Sequence, residues 1–321
     1  MNKQILGIHH ITAIAGNPQT NLDFYAGVLG LHLVKLTVNF DDPTTYHLYY
    51  GDGTGHPGTI LTFFPWPSAP KGRRGAGQVT ETAFAVPENA LDFWTTRLTE
   101  RAVAFEGPFE RFGEKVIAFS DPDGMRIELI STARARAGRA YQDGPVPLDY
   151  AIRGFHSATL SEADHRATSA LLTGAMGFKL VEQDGNRFRY AVDSGEPSGL
   201  VDVLHVPHER SGRVLVGSVH HIAFRTSDDT EQLAWLDELS RLHYGVSPVM
   251  DRKYFHSIYY REPGNILFEI ATDPPGFSVD EAPEKLGSQL VLPAWLEPQR
   301  VQLEAVLPRL ELPRAAAEAS L

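Results

Sequence analysis

The sequence predicts an α+β fold of four units, each a strand, a helix and three further strands. Three repeats carry that prediction. Leu29-Gly-Leu-His-Leu-Val-Lys35 recurs as Met176-Gly-Phe-Lys-Leu-Val-Glu182, each after a helix-like segment. Thr82-Ala-Phe84 recurs as Ile222-Ala-Phe224. Asp121-Pro-Asp-Gly-Met-Arg-Ile-Glu128 recurs as Glu262-Pro-Gly-Asn-Ile-Leu-Phe-Glu269. The units begin near Ile8, Val79, Phe155 and Val219. The first resembles the third and the second the fourth, so a two-unit half has been duplicated.

In the first unit, residues 8–15 read as a strand. Asn17 is a helix cap and Pro18 suits the first turn. Leu22, Tyr25 and Leu29 recur at helical spacing, and Gly30 ends the helix. The remaining strands fall at residues 33–39, 46–51 and 59–64. In the second unit, the helix spans 90–101, and the last two strands flank the turn Asp121-Pro-Asp-Gly124. The third unit has its helix near 163–174. The fourth has a helix near 231–242 and strands near 252–260 and 266–271. Residues 65–75 and 133–146 read as linkers. The expected organisation is an N-terminal half at 1–132, with units at about 1–66 and 77–132, and a C-terminal half at 150–273, with units at about 150–207 and 217–273. A tail at 274–321 should pack on the body, with a short helix in 295–307 whose Leu296, Val301, Leu303 and Leu307 need cover.

Two stretches carry adjacent histidines, Gly7-Ile-His9-His10-Ile-Thr12 and Gly217-Ser-Val-His220-His221-Ile-Ala-Phe224. Strand neighbours point to opposite faces, so each pair is expected to place one ring on each side of a sheet. His220 shares a face with Ile222 and Phe224, suited to packing under helices, which leaves His10 and His221 facing a shared polar cavity. Glu269 stands in the same relation. Two histidines and one glutamate suit an open-sided ferrous site, with about three coordination positions left free.

Composition excludes other classes. Of 321 residues, 42% are hydrophobic and 21% charged, as in an ordinary folded domain. The formal net charge of -11 argues against a nucleic-acid or anionic-membrane surface. With no cysteine there are no disulfides, thiolate metal sites or cysteine nucleophile. Neither a signal peptide nor a membrane-length apolar run is visible, so a cytoplasmic protein is expected.

Four such units, with histidine on a first strand and glutamate on a last strand, resemble the vicinal oxygen chelate superfamily of glyoxalases, bleomycin resistance proteins and extradiol dioxygenases. Within it, the chain resembles the hydroquinone and chlorohydroquinone ring-cleaving dioxygenases. The matching stretches include Asn39-Phe-Asp-Asp-Pro43, Tyr46-His-Leu-Tyr-Tyr-Gly-Asp52, Tyr254-Phe-His-Ser-Ile-Tyr-Tyr-Arg-Glu-Pro263 and Leu267-Phe-Glu-Ile-Ala-Thr-Asp273. The likeness extends to Leu292-Pro-Ala-Trp-Leu-Glu297 in the tail. It implies four βαβββ modules forming two open, cup-shaped mixed β-sheet barrels with helices outside. It implies iron(II), with manganese(II) the alternative, held by His10, His221 and Glu269 in the cup of the first and fourth units. It also implies supporting roles for His9, Thr12, Arg252 and Tyr259. The partners implied are a small aromatic diol and O2, with a homo-oligomer allowed and no nucleic acid or membrane.

The chemistry of such a site asks for a group that moves a phenolic proton and one that steadies developing negative charge. Tyr259 suits the first and Arg252 the second, both expected on the third strand of the fourth unit, beside the strand of Glu269. His256 should lie on the opposite face. Glu128 follows a similar turn, but its half has Glu81 and Ser157 where the other has His221 and His10, so it reads as structural. Histidines 32, 47, 56, 156, 165, 205, 208 and 243 read as ordinary surface or core residues, His47 least clearly. A glyoxalase-like isomerase would need a second carboxylate, and aligning Gly58-Thr-Ile-Leu-Thr-Phe63 with Gly264-Asn-Ile-Leu-Phe-Glu269 puts Phe63 there. A metal-free binding protein on the same scaffold has no reason to align three ligands.

Overall fold

The protein is described by a computed structural model covering residues 3–193 and 198–312. Its four modules run in chain order. The first holds β1 (Ile8–Ala15), α1 (Pro18–Leu22), β2 (His32–Asn39), β3 (Asp42–Gly51) and β4 (Ile60–Pro65). The second holds β5 (Gln78–Val86), α2 (Leu91–Glu100), β6 (Phe105–Arg111), β7 (Glu114–Ser120) and β8 (Arg126–Ser131). The third holds β9 (Phe155–Glu162), α3 (Arg166–Gly174), β10 (Lys179–Asp184), β11 (Arg187–Ala191) and β12 (Leu200–His205). The fourth holds β13 (Ser218–Thr226), α4 (Asp229–Arg241), β14 (Met250–Asp251), β15 (Phe255–Arg261) and β16 (Leu267–Pro275).

The strands form two open, curled, mixed sheets of eight strands each. One has the order β14-β15-β16-β13-β1-β4-β3-β2, the other β10-β11-β12-β9-β5-β8-β7-β6. Each cup therefore joins modules from the two halves of the chain, first with fourth and second with third. The joins are antiparallel, β1 on β13 and β5 on β9. Every residue of β1, β5 and β9 is buried, because helices cover one face and the cup encloses the other. Loop segments at residues 71–76 and 211–216 bridge to one another across the two cups.

Asn17 caps α1 by accepting from Thr20 N at 3.0 Å, with Pro18 in the first turn. The helix then widens into a π-helical stretch at Asp23–Val28, where Leu29 N donates to Phe24 O at 3.0 Å. The 3.6-residue spacing read from Leu22, Tyr25 and Leu29 thus breaks after the first turn. The wider turn buries Phe24, Tyr25 and Ala26 in succession, with the Tyr25 hydroxyl donating to Asp121 at 2.9 Å.

The tail closes the inside of the first cup. Phe277 and Leu286 pack with Val34, Tyr49, Ile60, Ala223, Tyr254, Phe255 and Ala271. Lys35, fully buried on β2, pairs with Asp280 at 2.6 Å and also with Glu281, clamping the tail to the sheet. A helix α5 (Arg300–Val306) follows. Leu296, Leu303 and Leu307 are buried, but Val301 is 81% exposed, on the outer face of that short helix. No helix among the described residues is long and apolar enough to cross a membrane.

Removing Lys35 leaves the buried Glu281 without its cation, while Asp280 keeps Lys253 at 2.5 Å. Lys35→Met should cost about 3 kcal/mol in urea unfolding. Val301→Ser should cost under about 0.5 kcal/mol in the same measurement.

Candidate metal centre

The site lies at the β1/β13 join, and its geometry begins with two register shifts. On β1, Ile8 pairs with Phe224 and His10 with Ala223, so His9 has no partner across the join. On β13, His221 pairs with Thr12 and Val219 with Ala13, so His220 has none. An extra residue of this kind disturbs the alternation of side chains and re-aims them. The expectation of one ring on each side of the sheet fails for this reason. His9 and His10 lie with their Nδ1 atoms 2.9 Å apart, and His220 and His221 with theirs 2.8 Å apart.

The hydrogen bonds assign the ring protons on one pair. His9 Nε2 is 3.1 Å from the Thr272 carbonyl, which can only accept, so His9 carries its proton there. Its Nδ1 is then an acceptor for His10 Nδ1–H, and His10 Nε2 keeps a bare lone pair. That atom is 3.3 Å from His221 Nε2 and 3.3 Å from Glu269 Oε2, while the last two are 3.0 Å apart. Glu269 is fully buried, and its Oε1 accepts from the Ser257 hydroxyl. Burial alone would raise the Glu269 carboxyl, but His10 and His221 hold it well below the ordinary carboxylate range. Burial pushes the His9 and His221 imidazoles down.

Three converging donor atoms from two imidazoles and a carboxylate are what a divalent cation requires. Ligands about 2.1 Å from one ion and at right angles lie about 3 Å apart, close to the spacing here. Glu269 Oε2 is buried and accepts no well-aligned hydrogen bond, so a cation between it and the two imidazoles would satisfy it. Among the described residues this is the one group of three ligand-type side chains that converges.

Beside the group is a cavity of about 200 Å³ with aromatic and apolar walls from Phe40, Phe64, Phe255 and Leu267. Tyr259 stands opposite Glu269 in the β15/β16 register. Burial and the nearby Glu269 carboxylate raise its hydroxyl, so it stays protonated. Arg252 Nε donates to that hydroxyl at 3.1 Å, and Arg252 Nη1 pairs with Asp41 at 3.1 Å. Arg252 lies off the strand expected to carry it. It sits in the turn after β14, where its N–H bonds Phe255 O and Lys253 takes a left-handed φ of 68°. Thr12 lines the cavity and accepts from Thr62 at 2.9 Å. His256 lies away from it, paired with Asp229 at 2.6 Å.

Two cavity residues were missed. His220, read as a residue packed under helices, lines the cavity through the register shift. His47, read as ordinary, lines it too, with Nε2 2.8 Å from Thr62 Oγ1. The repeat could have located His47: Tyr49 pairs with Thr62 as Tyr259 pairs with Glu269, which makes His47 the counterpart of Ser257. The same register corrects Phe63. Thr62 lies between Thr12 and Tyr49 as Glu269 lies between Ala223 and Tyr259, so Thr62 holds the second carboxylate's place. Phe63 points to the other face, against Tyr25 at 4.5 Å.

In the second cup, Glu128 binds Arg111 at 2.5 and 2.9 Å, and Glu81 binds Arg187 and Arg74 at 2.9 Å each. Guanidinium groups occupy the carboxylate lone pairs there.

A fold of paired βαβββ cups with a buried His-His-Glu group defines a class, and sequence comparison agrees with it. A model of the Glyoxalase/Bleomycin resistance protein/Dioxygenase superfamily matches residues 7–129 and 154–279. The chain belongs to that superfamily. It is 49% identical over 304 residues to a Bacillus subtilis protein whose name assigns it as a ring-cleaving dioxygenase, MhqO, covering 95% of this chain and 96% of the relative. It is 37% identical over 303 residues to the chlorohydroquinone/hydroquinone 1,2-dioxygenase of Sphingobium indicum, covering 92% of this chain and 94% of the relative. A crystal structure of a Bacillus subtilis protein described as a dioxygenase has a TM-score of 0.93 at 47% identity, covering 98% of this chain and 100% of that one.

If these three side chains hold a metal, His10→Ala, His221→Ala and Glu269→Ala should each lose bound iron(II) while keeping the circular dichroism of the parent. His9→Phe removes the acceptor that orients His10. It should keep the site but weaken iron affinity about 10- to 100-fold in a competitive chelator titration.

Proposed function

We propose that the protein is an iron(II)-dependent ring-cleaving dioxygenase that inserts O2 into a para-diol of the hydroquinone type, chlorinated or not. The observation that carries this reading is the open-sided His10–His221–Glu269 group beside an aromatic-walled cavity. Two relatives support it by name, one as a ring-cleaving dioxygenase and one as a chlorohydroquinone/hydroquinone 1,2-dioxygenase. Manganese(II) suits the same donor set less well, since imidazole favours iron. Iron(II) bound there would supply the redox chemistry that couples the ring to O2.

The chain's own residues would do the rest. Phe40, Phe64 and Phe255 wall a slot for a flat ring and exclude water from it. The Tyr259 hydroxyl, kept protonated, would pass its proton to the oxygen that gains charge as the ring opens. Arg252 would hold that hydroxyl in place and offset negative charge on the substrate. Asp41 fixes Arg252 from the rim. His9 orients His10, and Thr12 presents a hydroxyl beside it. A glyoxalase-type isomerase needs a further carboxylate, and Thr62 stands where it would come from.

Protein reconstituted anaerobically with iron(II) should consume one O2 per hydroquinone opened, read with an oxygen electrode and by product mass. Catechol should turn over more slowly. Turnover of glutathione and methylglyoxal without O2 uptake would replace this reading with the isomerase one. Tyr259→Phe should bind iron as the parent does and lower kcat by about a hundredfold, with a smaller change in KM.

A further inference from the structure

A line of side chains crosses three adjacent strands of the first cup, Thr12 on β1, Thr62 on β4 and His47 on β3. Thr62 donates to Thr12 Oγ1 at 2.9 Å. With its single proton used, the Thr62 oxygen must accept from His47 Nε2–H at 2.8 Å. His47 therefore carries its proton on Nε2, and its Nδ1 is a bare acceptor. The ring cannot turn easily, since it lies 3.9 Å from the Tyr49 ring centroid and 4.4 Å from that of Phe64. Burial pushes this imidazole well below its ordinary range, which keeps it neutral.

His47 Nδ1 has no hydrogen-bond partner among the described residues, although the residue lines the cavity. Two of the polar groups on the wall are committed elsewhere, Arg252 to Tyr259 and Asp41, and His220 to His221. The repeat sharpens the point. Ser257, the counterpart of His47, serves Glu269, whereas His47 serves a threonine that occupies no ligand role. Holding the His-His-Glu group therefore does not account for His47.

We propose that His47 is a specificity-determining residue whose Nδ1 accepts a hydrogen bond from the second hydroxyl of the aromatic substrate, selecting a diol over a monophenol. This rests on the ring-cleavage reading above. The fixed acceptor rewards a second O–H on the ring and gives a monophenol nothing in its place.

The test is anaerobic calorimetry of hydroquinone and of phenol binding to the iron(II)-loaded protein. The parent should bind hydroquinone more tightly than phenol. His47→Phe fills the slot between Tyr49 and Phe64 without an acceptor, and should cut that preference by about fivefold while iron content is unchanged. His47→Gln and His47→Leu, similar in size to one another, give the same comparison if the Phe variant does not fold. The Gln variant should keep more of the preference than the Leu variant. A preference that survives in the Phe or Leu variant overturns the assignment. A parent that binds iron, consumes O2 with hydroquinone and shows such variants loses only the His47 proposal. A parent that binds neither iron nor hydroquinone overturns the ring-cleavage reading as well.

Discussion

The join between β1 and β13 constrains everything around the site. Two strands from the first and fourth modules pair antiparallel there, and each carries one residue too many for a regular ladder. A regular ladder would send His9 and His10 to opposite faces. With the extra residue, both rings come to lie side by side, and the same happens to His220 and His221 on the partner strand. The join is buried and flanked by β4 and β16, so the distortion is held by full pairing on both sides. Parallel pairing of β16 with β13 sets Glu269 beside Ala223, and antiparallel β15 sets Tyr259 beside Glu269. The three converging side chains thus come from three hydrogen-bonded strands, not from loops, which is how a fixed donor geometry is kept.

The second cup shows what the same backbone does with other side chains. Its join, β5 on β9, has matching register shifts that leave Thr80 and His156 without partners. Ser157, Glu81, Glu128 and Asp202 fall where the first cup has His10, His221, Glu269 and Thr62. Three buried carboxylates without cations would be costly. Arg111, Arg187 and Arg189 answer them, Arg189 with 2.8 and 3.1 Å contacts to Asp202. Positive charge in this cup is covalently part of the chain. In the first cup the groups paired with Glu269 among the described residues are His10 and His221, and a bound ion would supply the positive charge.

Most of the fold was legible because duplication repeats its punctuation. The Leu-Gly-Leu and Asp-Pro-Asp-Gly stretches marked the ends of helices and hairpins twice over, and β1 spans the predicted residues 8–15. What was not legible depends on pairing between distant strands. The register shifts at His9 and His220 arise only when β1 meets β13 and leave no local pattern. The one-residue error between Phe63 and Thr62 came from aligning turns, where the repeats differ in length, and not strand partners. His47 was passed over because a lone histidine in an aromatic strand has no chemistry until Thr62 and the cavity surround it. The π-helical turn at Asp23–Val28 carries Tyr25 to Asp121, a residue of the next module, a contact that local spacing does not reveal.

Thr62 has an electrostatic consequence for what the cavity can accept. A divalent ion held by two neutral imidazoles and one carboxylate carries a net charge of about +1 in a buried setting. An aromatic diol that loses one proton brings one negative charge, and the assembly becomes neutral where neutrality is least costly. A carboxylate in place of Thr62 would neutralise the ion beforehand, and the same anion would then be buried without compensation. The Arg252–Asp41 pair adds no net charge to this count. With a divalent ion bound at the His-His-Glu group, a neutral threonine tied to a neutral histidine on the remaining wall would leave the ion's charge to select an anionic ring oxygen.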